Sequence, residues 1–323
     1  ARLSLTRVGY FESIANAYLP ISNSNGKTTT TGTFLNLFNC MDLTGSSPNK
    51  LDNHVEVAIE DMVGDLPAPI QFEFKNITAG TLKRMYVGRT LGWYANAVWL
   101  PPLYQDQSGA ADAACSGGAY ASASISTDNE TDLFTITWGD VFAYLGGDLY
   151  HVMARFRNNT SLANVRFRLK LVSGSVVIWS GPLAPLTTTD IIQDLGVVNL
   201  PPGDPTMWSS LSLVISGKRT TAATETIQLD FVQIIGREFA KLEYLTPLAQ
   251  NEDTLFGGEL KSRYRFGTVK AMDIVVYGAE SLTVIPGMVN AFFFLAQTAT
   301  ANTAEINRKL SIRASYHPRR STI

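Results

Sequence analysis

The segment from Val165 to Ser173 constrains the fold of this chain most, because apolar and basic residues alternate along it. The order is Val165, Arg166, Phe167, Arg168, Leu169, Lys170 and Leu171. A period of two places the apolar set on one face of a β-strand and the basic set on the other, so one face is buried and one is in water.

The same alternation recurs in other parts of the chain. It appears in Val55/Val57/Ile59, Ile70/Phe72/Phe74, Tyr150/Val152/Ala154/Phe156, Leu211/Leu213/Ile215 and Leu310/Ile312/Ala314/Tyr316. Antiparallel sheets with one buried face give this pattern. The sequence therefore predicts an all-β protein with two antiparallel β-sandwich or jelly-roll domains, one of them inserted in the other, and an extended N-terminal arm.

Composition divides the chain of 323 residues into these parts. Residues 1–50 are rich in Asn, Ser, Thr and Gly, which predicts the extended arm. Residues 117–237 carry a series of short strands between turn signals, which is typical of a jelly-roll domain. Neither 51–110 nor 240–323 has enough strands to close a sandwich, so the two are predicted to form one discontinuous assembly domain. Three consecutive small units are the alternative.

Three aromatic residues of the arm, Phe11, Phe34 and Phe38, are the candidate assembly contacts. A segment this polar has no evident core of its own, so its aromatic side chains need a surface on which to pack. That surface belongs either to the same chain, which would make the segment a long surface loop, or to a neighbouring subunit, which would make it an assembly device.

Charge and composition argue against several functions. Charged residues make up 17% of the chain, which suits a surface partly covered by neighbouring subunits. The formal net charge of −2 offers no basic excess, so direct contact with nucleic acid is not expected. The longest apolar run, Ala291 to Ala296, is far shorter than the roughly 20 residues of a membrane helix, so membrane insertion is not expected. With no signal-peptide pattern, synthesis in a cytoplasm is expected.

The middle segment resembles the jelly rolls of carbohydrate-binding modules. Three stretches carry the resemblance: Gly147 to Arg155, Val176 to Trp179 and Leu229 to Gln233. Glycan binding needs aromatic faces that stack on sugar C–H surfaces, and Trp138, Trp179 and Trp208 are the candidates. Trp208 comes first, because no periodic pattern in its loop requires a core side chain. In the competing interpretation, all three belong to the core or to an interface.

The flanking segments are similar to structural proteins of tailed-bacteriophage virions. The similarity lies in Pro67 to Asn76, Val284 to Asn290 and Ser315 to Arg320. It implies a non-enzymatic head-decoration, neck or tail component, located in the virion and displaying its jelly roll outward. The implied partners are copies of itself and other virion proteins. The alternative is an attachment module that recognises a glycan of the host envelope.

Few residues are arranged for catalysis or for metal binding. Asp128, Glu130 and Asp132 cluster ahead of a strand, where a pair of carboxylates could serve a glycosidase or simply remain solvated. Together with Asp230, the loop carboxylates of Asp128 and Glu130 would offer the oxygen ligands that calcium prefers. No cofactor is expected otherwise, and the competing interpretation places Asp230 on the exposed face of its strand.

Overall fold

The structure is a computed structural model, and it describes most of the chain. The described residues are 11–12, 17–22, 29–30, 32–38, 54–77, 79–91, 98–100, 109–111, 119–137, 149–157, 160–187, 192–199, 210–235, 238–258, 262–266, 274–279, 281–288, 290–298 and 309–321. Their regular structure is β-strand, apart from the 3-10 helices Ile59–Asp61 and Thr160–Asn164. The predicted all-β class is confirmed. Within the described ranges, we find no helix with the length and apolar character needed to span a membrane.

The described strands are numbered in chain order. The first part of the chain holds β1 (Phe11–Glu12), β2 (Ala17–Leu19), β3 (Leu35–Phe38), β4 (His54–Val57), β5 (Ala68–Asn76) and β6 (Leu82–Leu91). The middle holds β7 (Val98–Leu100), β8 (Gly109–Ala111), β9 (Ala119–Ile125), β10 (Thr131–Thr137), β11 (Leu149–Phe156), β12 (Val165–Ser173), β13 (Val176–Ser180), β14 (Ala184–Pro185), β15 (Ile192–Asn199), β16 (Leu211–Arg219) and β17 (Glu225–Ile235). The last part holds β18 (Phe239–Leu248), β19 (Asp253–Gly257), β20 (Ser262–Phe266), β21 (Ile274–Gly278), β22 (Leu282–Val284), β23 (Asn290–Thr298), β24 (Lys309–Tyr316) and β25 (Arg319–Arg320).

The middle of the chain forms a sandwich of two antiparallel sheets. Sheet I has the order β10-β16-β12-β13, with β14 beside β12, and sheet II has the order β15-β11-β17-β9-β8, with β7 beside β17. From β9 to β12 successive strands alternate between the two sheets, which is the jelly-roll pattern. The alternation of β12 is as predicted: Val165, Phe167, Leu169 and Leu171 are buried in the core between the sheets.

The flanking segments form a second antiparallel sandwich. Sheet III has the order β21-β18-β6-β23-β4, and sheet IV has the order β2-β24-β5-β19-β20, with β22 beside β5 and β3 beside β24. Strands β6 and β18 are direct neighbours, with Gly88 opposite Phe239, although all strands of the middle sandwich lie between them in the sequence. The middle sandwich is therefore inserted between two paired strands of sheet III.

A third apolar layer joins the two sandwiches. From sheet III it contains Tyr86, Phe239, Phe293 and Leu295, and from sheet II it contains Met153, Ile192 and Phe231. These residues lie on the faces of both sheets that point away from their own cores, since Val87, Ala240, Phe292 and Phe294 fill the core between sheets III and IV. The four sheets thus stack in the order I, II, III, IV.

The described parts of the N-terminal arm are extended and lie against sheet IV. Strands β2 and β3 both pair with β24, and β1 pairs with β25. Four aliphatic residues hold this arm, because Leu19, Ile21, Leu35 and Leu37 are buried in the core of the flanking sandwich. The sequence analysis took its candidate contacts from the phenylalanines of the arm and not from these aliphatic residues, since the Asn, Ser and Thr around them masked the pattern.

Strands β7 and β8 pair with β17 and β9, so residues 98–100 and 109–111 add to sheet II. The sequence prediction grouped residues up to 110 with the flanks, because alternation along a strand does not reveal which strand it pairs with. Another difference concerns Ile59, which was predicted to continue the buried series of Val55 and Val57. It instead begins a 3-10 helix and is exposed.

A fragment of residues 98–237 is expected to melt several degrees above a fragment of residues 117–237. Both keep the core between sheets I and II, so both should fold cooperatively, but only the longer one keeps β7 and β8 on sheet II. Losing these strands leaves the edges of β17 and β9 unpaired. Thermal melts followed by circular dichroism check this, and equal melting temperatures would contradict it.

Candidate functional site

The acidic loop, residues 128–132, runs into the first residues of β10 and is a network of ion pairs. The Nζ atom of Lys170 lies 2.8 Å from a carboxylate oxygen of Glu130 and 2.8 Å from one of Asp132. Asp128 accepts a 2.9 Å hydrogen bond from Arg219 Nε. The cations stand on β12 and β16, so these pairs tie the loop to sheet I. Each of the three predicted carboxylates has a cationic neighbour, and Glu130 and Asp132 share Lys170.

Asp132 lies at the centre of this network. Partial burial raises the pKa of its carboxyl, but hydrogen bonds from Lys170 and Ser216 outweigh this effect and hold the pKa below the ordinary value. The pKa of Lys170 moves the other way: desolvation lowers it, whereas Asp132 and Glu130 raise it above its ordinary value. Both groups are therefore stabilised in their charged forms.

Asp230 lies apart from the loop, in a β-bulge of β17. Arg155 faces Phe231 and Phe156 faces Leu229, which leaves Asp230 as the extra residue between them. Its carboxylate is fully buried and forms an ion pair with Arg155, which is buried as well. The neighbours of Arg155 across the strands, Phe231 and Ile192, belong to the layer between the sandwiches. The bulge thus delivers a charge to an interior site, and the predicted exposed position for Asp230 is wrong.

The structure therefore does not bring Asp230 to the acidic loop. In the part of the chain that the structure describes, no three His, Cys, Asp or Glu side chains are grouped so that they could hold a metal ion. Calcium stays a prediction from the sequence, with Asp128 and Glu130 as its remaining ligands.

The tryptophans predicted to bind glycan divide into two groups. Trp179 is partly buried on β13 opposite Leu171 and packs against the core of the middle sandwich. Its ring also lies close to Gly181, where a Cβ atom would come within 3.2 Å of it. Trp138 and Trp208 lie outside the described residues. The described tryptophan thus has a packing role, and glycan binding stays a prediction.

Of the predicted assembly residues, Phe34 is partly buried, with the Arg313 guanidinium 4.7 Å from its ring centroid. Phe11 lies in β1 and Phe38 in β3, and their side chains are outside the described residues. Their role as contacts between subunits stays a prediction.

His151 marks the junction between the sandwiches. Its ring packs on Phe239 of sheet III at an interplanar angle of 32°, with centroids 4.8 Å apart, and its Nδ1 lies 3.6 Å from Asp194. Burial raises the pKa of Asp194, but His151, a hydrogen bond from the Gly196 backbone and the charge of Lys241 together lower it. Lys241 belongs to sheet III, so its charge acts on Asp194 across the junction.

Two surface features escaped the sequence analysis. The first, called the apolar loop after its exposed Ile59 and Val63, is residues 59–63, where these two side chains are 46% and 50% exposed on either side of Glu60 and Asp61. The second, the outer hairpin, is residues 173–180, where Val176, Val177 and Ile178 are 60%, 51% and 46% exposed. Val176 to Trp179 of this hairpin were predicted to form a strand, and this is confirmed. However, three consecutive apolar residues give no sign in the sequence that all of them face solvent.

The apolar loop is held rigidly although its side chains are exposed. The hydroxyl of Tyr316 accepts a 2.6 Å hydrogen bond from Val63 N and donates one of 2.7 Å to Val63 O. Met62 packs against the core of the flanking sandwich. Gly64 adopts φ +108, and a Cβ atom there would lie 2.5 Å from the Arg319 carbonyl oxygen, so only glycine fits.

No known protein family matches the sequence, and no curated protein matches it. Among solved structures, the chain is similar to that of the Gx strain of infectious bursal disease virus, with 8% identity, a TM-score of 0.21 and coverage of 97% of this chain and 81% of that one. The VP2 subviral particle of the same virus has 8% identity, a TM-score of 0.20 and coverage of 97% and 81%. The unassembled VP1 pentamer of KI polyomavirus has 10% identity, a TM-score of 0.16 and coverage of 99% and 97%. These are viral proteins, but at TM-scores of this size the similarity leaves the function of this chain open.

Asp230→Ala is expected to lower the free energy of unfolding by about 3–5 kcal/mol, because it removes the carboxylate that pairs with the buried charge of Arg155. Asp128→Ala, at an exposed pair, should cost no more than about 1 kcal/mol. Chemical denaturation with and without added calcium measures both. Stabilisation of the unmodified chain by calcium, lost in Asp230→Ala, would instead identify Asp230 as a ligand.

Asp132→Asn is expected to destabilise the protein at about pH 5 and hardly at all at about pH 2. The pKa of Asp132 is lower in the folded chain than its ordinary value of 3.8, so its stabilisation is present above that value and is lost as the pH falls through the folded pKa. Urea denaturation of both proteins across this range gives the difference. A difference that does not change with pH would contradict the ion-pair account.

Proposed function

We propose that the chain is a non-enzymatic structural protein of a virus particle, and within that class a head-decoration, neck or tail component of a tailed bacteriophage. The observation that carries the proposal is the pair of apolar surfaces on different sandwiches, the apolar loop on the flanking one and the outer hairpin on the middle one. An assembly that grows beyond a dimer needs at least two contact surfaces on each subunit. The phage assignment comes from the resemblance of the flanking segments.

The apolar loop has the properties of a contact surface. Its backbone is fixed by Tyr316 and by Arg319, whose carbonyl oxygen accepts a 3.0 Å hydrogen bond from Asp65 N. A loop that is already ordered loses little conformational freedom when it binds, so most of the free energy of burying Ile59 and Val63 goes into association. In a chain with only 17% charged residues, exposed apolar groups of this kind indicate faces that neighbours cover.

The ionisable groups support a structural role rather than glycosidase chemistry. A glycosidase needs one carboxyl whose pKa is raised, so that it can donate a proton near neutral pH. In the acidic loop the pKa of Asp132 is lowered, and Glu130 lies 2.8 Å from the ammonium of Lys170. Asp132 is thereby held in the ionised form, and Glu130 is paired with a cation, which suits an ion pair and not a general acid.

Glycan attachment by the displayed jelly roll is the alternative, and it follows from the resemblance to carbohydrate-binding modules. Trp179 has its contacts in the core, so stacking on a sugar falls to Trp138 and Trp208. This role is compatible with a subunit of a particle, since one sandwich can bind neighbours while the other meets the host.

Val63→Asp is expected to weaken the association of subunits and to leave the fold intact. The side chain at this position points to solvent, and the hydrogen bonds that Tyr316 makes go to the backbone of Val63, which the change preserves. Sedimentation velocity measures the assembly, and circular dichroism measures the fold.

Leu245→Asp is the matched control, because Leu245 is an apolar residue of the same sandwich with 59% exposure and lies outside the apolar loop. It should leave the assembly unchanged. An unmodified chain that stays monomeric at every concentration, alone and with other virion proteins, would contradict the proposed function.

A further inference from the structure

The edge strand β13 differs in its charge from most of the described edge strands that are as long as it is. Residues 171–189 contain no charged side chain. By contrast, β10 carries Asp132, β15 carries Asp194 and β20 carries Arg263 and Arg265. Charged residues on an edge strand prevent it from pairing with the edge of another molecule. Among the described edge strands that are as long as β13, only β21 is also uncharged, and there the ammonium of Lys241 lies 5.2 Å from the ring centroid of Tyr277.

A bulge directs the side chains of β13 toward solvent. Leu171 lies opposite Trp179 and Val172 opposite Val177, so Ile178 is the extra residue between them. Because of this shift, three consecutive side chains reach solvent, rather than alternate ones. Trp179 still faces the core, so the bulge creates the apolar surface without disturbing the sandwich.

The outer hairpin is also sterically open. The two-residue turn of Gly174 and Ser175 connects β12 to β13, and a Cβ atom at Gly174 would have no atom within 4 Å. Within the described residues β13 pairs only with β12, which leaves its outer edge free. A neighbouring chain can therefore approach both the edge and the exposed side chains.

We propose that the outer hairpin binds the same hairpin of a second copy of this chain, across a two-fold axis at Val177. An uncharged strand meets its own copy without like-charge repulsion, and the apolar residues on either side of Val177 face one another: Val176 of each copy meets Ile178 of the other. In a two-fold contact the same patch serves both partners. This inference assigns a second copy of the chain as the partner of the outer hairpin, one of the two apolar surfaces of the proposed function. The role of this contact in a virus particle rests on that function.

Val177→Lys tests the contact through affinity. Placing two like charges at the axis should weaken dimerisation on the order of tenfold or more, as measured by sedimentation equilibrium. The melting temperature of the monomer should stay the same, because the side chain is exposed. The control Leu245→Lys adds the same charge at an equally exposed position on the other sandwich and should leave the dimer unchanged.

Val177→Cys tests the geometry. A residue on a two-fold axis faces its own copy, so this variant should form a covalent dimer under mild oxidation, whereas the unmodified chain, which has Cys40 and Cys115, should not. Leu245→Cys, placed away from the axis, is the control and should remain monomeric on a non-reducing gel.

The possible outcomes separate this inference from the proposed function. If Val63→Asp disrupts assembly while both Val177 variants behave like the unmodified chain, the self-contact is wrong and the assembly role stands. If Val177→Lys disrupts only the binding of a different virion protein, the hairpin has another partner, and the self-contact is again overturned. If no variant changes association, the proposed function fails as well.

Discussion

The burial of sheet III on both faces is the constraint on which the rest of the structure depends. In β23 Phe292 and Phe294 point into the core of the flanking sandwich, and Phe293 and Leu295 point into the layer shared with sheet II. On the first side, the rings of Phe72 and Phe292 meet edge to face at 5.0 Å. A large aromatic side chain buried in this way contributes several kcal/mol. One strand therefore stabilises two interfaces at once.

The burial of sheet III on both faces accounts for the positions of the buried ion pair and of the exposed apolar residues. An inserted sandwich whose ends leave from two paired strands would be free to tilt, but the layer of Met153, Ile192 and Phe231 against sheet III fixes it. The Arg155–Asp230 pair, enclosed beside the same layer, adds a requirement for exact partners, because a buried charge tolerates no loss of its counterpart. The exposed apolar residues therefore do not result from loose packing of the fold. They lie in a loop between sheets III and IV and on an edge strand of sheet I, where neighbours can cover them.

Much of this arrangement was visible in the sequence, and the limits have physical causes. The alternation from Val165 to Leu171 identified β12 and its buried face. The run Ala291 to Ala296 was used to argue against a membrane span, yet six successive apolar residues in a strand are also the pattern of a strand covered on both faces. The signal for the third layer was thus present. By contrast, the bulge that buries Asp230 and the one that turns Ile178 outward depend on strand register, and no local pattern records register.

Scanning calorimetry of the full chain, compared with Phe293→Ala and Phe292→Ala, tests directly whether sheet III joins the two sandwiches into one unit. The account predicts a single transition for the unmodified chain, with equal calorimetric and van't Hoff enthalpies. Phe293→Ala, which weakens only the shared layer, should separate this transition into two. Phe292→Ala, which weakens the core between sheets III and IV, should lower the melting temperature without dividing the transition into two. Two independent transitions in the unmodified chain, or a single unchanged transition in Phe293→Ala, would contradict the account.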